Sequence, residues 1–121
     1  MSGCKVIALL RKRAELTRAE FIDYYETRHA PLILSLLPNI KRYSRNFADF
    51  SGAFALEGAA PFDFDCVTEI SFASRSDYDA FLAVAAKDEI AQTIASDEEN
   101  FLDRSGTRMF LVDEHSSDIS P

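Results

Sequence analysis

The segment CKVIALLR, residues 4–11, constrains the fold more than any other stretch of this chain. Side chains alternate across an extended strand. Val6, Ala8 and Leu10 therefore fall on one face and Ile7 and Leu9 on the other, and both faces are apolar. A strand of that kind must be covered on both sides. With 121 residues the chain has room for one domain. At 47% hydrophobic it can build a real core. Two helices cover one face of a small sheet, so the other face needs cover from outside the chain. A second copy, packed sheet to sheet about a two-fold axis, is the simplest source.

The remaining segments supply the elements. In LTRAEF, Thr17 is a good N-cap and Glu20, three residues later, completes a capping box. Apolar or aromatic residues at 21, 25, 29, 32 and 36 form one helical stripe. Pro31 interrupts it, and the spacing predicts a break after Arg28 or His29 with a restart at Pro31. IKRYSRNF (40–47), DCVTEISF (65–72) and TRMFLVDEH (107–115) read as strands. SRSDYDAFLAVAA reads as a second helix capped by Ser76 or Asp77, and DEENFLDR as a further helical piece with acidic residues in its first turn. The loop 49–64 carries four phenylalanines and is too long for a tight hairpin. The order is strand, helix, strand, strand, helix, strand. That is the α+β, ferredoxin-like βαββαβ plan: an antiparallel four-stranded sheet with helices on one face. Residues 1–115 read as a single domain and 116–121 as a flexible tail.

Charge and motif content exclude several function classes. The net charge is −7. Residues 1–46 hold nine Lys/Arg against four Asp/Glu, and residues 47–121 hold four against sixteen. The acidic total argues against nucleic acid or an anionic membrane as partner. The basic run Arg11, Lys12, Arg13 is too short to reverse that. No apolar run is long enough to span a bilayer, and the opening lacks the order of a signal peptide, so a cytoplasmic location is expected. Cys4 and Cys66 read as small buried hydrophobes. No His-x-x-x-His pair, GxGxxG or Walker pattern is present, so neither a metal nor a nucleotide or flavin cofactor is expected.

The blocks LTRAEFIDYYETRHAPLI, PNIKRYSRNF, FDCVTEISFAS, DEENFLD and MFLVDEH occur in an order that resembles the EthD-like family of the dimeric α+β barrel superfamily. The helix block ending in His-x-Pro is the most specific of them, and the loop 49–64 has no counterpart motif. The resemblance implies a homodimer whose sheets close into a barrel, with a pocket between each subunit's helices and sheet. It also implies the chemistry of relatives: cofactor-free cyclases and dehydratases of polyketide-like substrates, quinol-forming monooxygenases and lyases. The family takes its name from a component of ether degradation, so a catabolic role is expected.

Among residues that could do chemistry, His29 leads. It shares a helix face with Phe21 and Tyr25. An imidazole has an unperturbed pKa near neutrality, which suits a general acid or base. The alternative is a structural histidine satisfied at a helix end. Tyr25 could donate to a developing oxyanion, or serve as a core aromatic. Tyr24 points about 100° away around the helix and ranks lower. Glu69, mid-strand, could orient His29, as could Asp65; some 13 Å of strand separates them, so they form no dyad. Phe21, Tyr43, Asn46, Asp65 and His115 complete the expected ligand-binding set. Two readings follow. One is a cofactor-free acid–base enzyme acting on a small aromatic or polyketide-like molecule, or an oxygenase of the same cofactor-free kind. The other is a non-catalytic dimer that binds a hydrophobic metabolite or serves as an accessory subunit.

Overall fold

The computed structural model describes residues 3–120; Met1, Ser2 and Pro121, which include the outermost residues of the expected domain and tail, lie outside that range. Four strands, β1 (Cys4–Leu10), β2 (Arg42–Phe47), β3 (Cys66–Phe72) and β4 (Arg108–Val112), form one antiparallel sheet in the order β2-β3-β1-β4. The helices are α1 (Arg18–Tyr24), α2 (Ala30–Leu36), α3 (Arg75–Ala85) and α4 (Asp88–Glu98). This is the ferredoxin-like arrangement that the element order predicts.

The register explains the burial. Val6, Ala8 and Leu10 of β1 and Cys66, Thr68, Ile70 and Phe72 of β3 face the helices and are buried. Phe21, Tyr25, Ala30, Phe101 and Leu102 pack over one end of that face, and Ile33, Leu37, Tyr78 and Phe81 over the other. Each buried phenylalanine contributes about 1.5–3 kcal/mol from apolar area removed from water. The opposite face carries Ile7, Leu9 and Val67, all half-buried, beside Phe110 of β4, which is 44% exposed. No helix covers it. Met109 and Leu111, on the helix side of β4, are also exposed, because β4 is the edge strand and the helices stop short of it.

The helix does not break at Pro31. Residues 18–36 stay helical through a π-helical turn, Tyr25–His29, in which the Ala30 N–H bonds to the Tyr25 carbonyl five residues back. Proline has no N–H and its ring clashes with the carbonyl four residues earlier, so a widened turn accommodates it without ending the helix. The extra residue also lets His29 and Ala30, neighbours in sequence, both turn inward. At the N-terminus the capping box forms as read, with Thr17 and Glu20 each bonding the other's backbone N–H.

The last helices differ from expectation. Ser74, not Ser76 or Asp77, caps α3. DEEN does not begin a helix: Asp97 and Glu98 are the final residues of α4, with Glu99 as its C-cap. Ile90 and Ile94, one turn apart, pack against the α2–α3 part of the core and draw the helix start back to Asp88. The loop 49–64 is closed at its neck by the Ala48 N–H bond to the Asp65 carbonyl and by stacked Phe50 and Phe62. Its tip residue Phe54 is 82% exposed. Among the described residues no helix is long and apolar enough to cross a membrane.

Candidate functional site

The sheet divides the candidate residues into two groups. Phe21, Tyr25, His29 and Tyr43 lie on the helix side, in or beside the core that Phe101 fills. Asn46, Asp65 and Glu69 lie elsewhere. Asn46 pairs with Val67 on the open face and donates to the Glu69 carboxylate at 3.1 Å. Glu69 also takes an ion pair from Lys5 at 3.0 Å, and this contact, with Asn46 adding to it, holds its carboxyl below the usual range. Asp65 accepts from the Lys12 backbone N–H at 2.9 Å. Neither carboxylate orients His29.

Asp97 does. His29 Nδ1 lies 2.8 Å from Asp97 Oδ2, and the residue is only 4% exposed. The other Asp97 oxygen accepts from the Tyr24 hydroxyl at 2.7 Å. Glu98 Oε2 stands 3.9 Å from His29 Nε2, beyond hydrogen-bond reach, while Arg104 holds Glu98 through Oε1 at 3.0 Å. Carboxylates at the C-terminal end of a helix face its negative pole. The donors from α1 and the π turn offset that cost. Asp97 does not stand out in the sequence because DEEN reads as a helix start. The Ile90–Ile94 spacing upstream is the signal that would have placed it in the last turn.

Beside the imidazole runs a chain of hydroxyls. Tyr25, 1% exposed, shares hydrogen bonds with Thr68 Oγ1 at 2.8 Å and with the Tyr43 hydroxyl at 3.0 Å. Burial pushes the Tyr25 phenol well above its ordinary pKa and the Tyr43 phenol up to about 12. Both therefore stay protonated near neutrality and are able to donate. Arg45 closes this end. Its guanidinium lies 4.7 Å from the Tyr43 ring centre and forms a bidentate pair with Glu26 at 2.7 and 2.8 Å. The Tyr25 and His29 ring centres are 5.4 Å apart.

His115 sits away from this seam. It lines a cavity of about 530 Å³ at the far end of the sheet with Lys5, Lys41 and Glu114. A second cavity, about 290 Å³, opens on the uncovered face among Lys5, Arg42, Ser44, Glu69 and Glu114. Neither is lined by His29 or Tyr25. Of the expected site, then, the structure brings together His29, Tyr25, Tyr43 and Phe21, and keeps Glu69, Asn46, Asp65 and His115 apart from them. Among the described residues no group of three or more His, Cys, Asp or Glu side chains is placed to hold a metal ion.

The EthD domain matches residues 13–105. Similar solved structures include an EthD family protein of Bacillus halodurans C-125, with a TM-score of 0.61 and 18% identity over 93% of this chain and 99% of that one. An EthD-like protein of Ralstonia eutropha JMP134 aligns with a TM-score of 0.56 and 20% identity over 93% of this chain and 90% of that one. SnoaB of Streptomyces nogalater, a cofactor-independent oxygenase, aligns with a TM-score of 0.56 and 13% identity over 97% of each chain. No curated protein matches the chain. At these identities the structural likenesses establish the ferredoxin-like fold alone.

Proposed function

Because this chain belongs to the EthD family, we propose that it is a cofactor-free enzyme that works as a homodimer in the cytoplasm on a small, mostly apolar, aromatic or polyketide-like molecule. His29 moves the proton in a cyclisation, dehydration or elimination, and the Tyr25–Tyr43 hydroxyl chain stabilises the oxyanion that develops. One observation carries the reading: an imidazole held by a carboxylate at 2.8 Å, on a π-helical turn, beside two neutral phenols. A base oriented by a third group is the recurring arrangement for proton transfer, and π turns often occur at functional positions. The uncovered sheet face, with Ile7, Leu9, Val67 and Phe110, supports the dimer.

A second reading has its own support. Among the described residues, every fully enclosed side-chain polar atom already has a hydrogen-bond partner. A network so well satisfied also suits a non-catalytic binder or accessory subunit.

The two readings separate on turnover. Purified protein is incubated with a panel of hydroxylated aromatic ketones and short poly-β-ketones, and substrate loss is followed by chromatography. General acid–base catalysis predicts that His29→Asn loses about 10²-fold or more in rate. Binding of a panel member without turnover, or turnover unchanged in His29→Asn, overturns the catalytic reading. Stability alone does not discriminate, because a buried, carboxylate-bonded histidine stabilises the fold in either case.

A further inference from the structure

We infer that Asp97 is a positioning residue: anchored by Tyr24 and Asn100, it holds His29 as the Nδ1–H tautomer and so leaves Nε2 as the nitrogen that exchanges a proton. This rests on the acid–base reading above for its purpose, but not for its geometry.

The chain of donors runs in one direction. The Asn100 amide nitrogen can only donate, and it donates to the Tyr24 oxygen at 2.9 Å. The Tyr24 hydroxyl has one proton, which it gives to Asp97 Oδ1 at 2.7 Å. Asp97 Oδ2, 2.8 Å from His29 Nδ1, is an acceptor, so the bond there requires a proton on Nδ1. A neutral imidazole carries only one N–H, which leaves Nε2 with a lone pair.

Nε2 is also the atom that reaches the outside. It makes no hydrogen bond among the described residues, and its nearest carboxylate oxygen, on Glu98, is 3.9 Å away. Among the described residues no fully enclosed polar side-chain atom lacks a partner. Nε2 is therefore not fully enclosed, and the small residual exposure of His29 includes it. Glu98 is turned toward Arg104 by their 3.0 Å contact. Phe101 stacks on Tyr24 with 5.0 Å between ring centres and lies 4.9 Å from the imidazole, which fixes the tilt of both rings. The groups that face His29 are thus Asp97 on one nitrogen, Glu98 near the other, and the Tyr25 and Phe101 rings on its sides.

The test is long-range ¹H–¹⁵N correlation of the imidazole nitrogens of His29 in the full chain, followed across pH. It is run on the native protein, on Asp97→Asn and on Asp97→Glu, with His29→Asn to assign the signals. In the native protein the neutral ring shows a protonated Nδ1 and an unprotonated Nε2. Asp97→Asn, whose amide can donate to Nδ1, shifts the population toward the Nε2–H form, and Asp97→Glu restores the native tautomer at least in part. A native ring in the Nε2–H form, or protonated on both nitrogens wherever the protein is folded, overturns the proposal. So does an Asp97→Asn spectrum identical to the native one. The native-protein arm needs no variant to fold. The expected tautomer without turnover of any panel compound removes the enzymatic reading and leaves the positioning role standing. Turnover that depends on His29 but not on Asp97 does the reverse.

Discussion

The Tyr25–Thr68 hydrogen bond offers the sharpest check on how the helix layer is locked to the sheet. Thr68 is 2% exposed and its hydroxyl has two neighbours: Tyr25 at 2.8 Å, and the weak Cys66 sulfur contact at 3.5 Å. Tyr25→Phe strands that hydroxyl in the core. A buried polar group that loses its partner costs about 1–3 kcal/mol, and the lost link to Tyr43 adds to it, so about 2–3 kcal/mol is expected. Thr68→Val is gentler, at about 1 kcal/mol, because the Tyr25 hydroxyl keeps Tyr43 at 3.0 Å. The double variant removes both ends of one bond, so its cost falls short of the sum by about 1 kcal/mol or more. Urea unfolding at fixed protein concentration measures this. With a slope of about 1–3 kcal/mol per molar urea, a loss of 2 kcal/mol moves the midpoint by roughly 1 M. Strict additivity, within about 0.3 kcal/mol, refutes the reasoning, as does a Tyr25→Phe cost below about 0.5 kcal/mol.

Three further outcomes are expected. The Arg45 contact holds the Glu26 carboxyl below its ordinary pKa. A depressed folded-state value stabilises the fold above the unfolded carboxylate pKa and is lost as pH falls through the folded one. Native stability should therefore drop below about pH 5 more steeply than that of Glu26→Gln, and parallel curves would contradict this. Burial pushes the Cys66 thiol up to about 11, while Cys4 is only half-buried. Iodoacetamide at pH 8 should label Cys4 in the folded protein and Cys66 only after denaturant is added; mass spectrometry showing equal rates would count against the burial described. Finally, light scattering during gel filtration should give a dimer for the native chain and a monomer or misfolded material for Leu9→Glu; a stable native monomer would remove the reason for the uncovered face.

Much of the fold was legible because it depends on local alternation and capping. The two-sided β1 strand, the Thr17–Glu20 box and the element order follow from residues adjacent in sequence, whose geometry the backbone dictates. Errors arose where two local signals compete. Pro31 reads as a break, yet a π turn costs less than abandoning a helix whose apolar face is already committed to the sheet. DEEN reads as a helix start, yet the half-buried Ile90 and Ile94, packed on the core, pull the helix upstream and leave the acidic residues at its end.

The sequence by itself determined the strand alternation, the two apolar faces of β1, and the presence of an imidazole on the inward stripe of a helix. It could not determine that imidazole's partner, since Asp97 lies 68 positions away and only the packing of α4 across the π turn brings the two together. Glu69 lies on the far side of the sheet because Cys66, Thr68, Ile70 and Phe72 turn to the helices and alternation sends their neighbours the other way. Local interactions set which way a side chain leaves its own element; the tertiary structure alone sets what it meets.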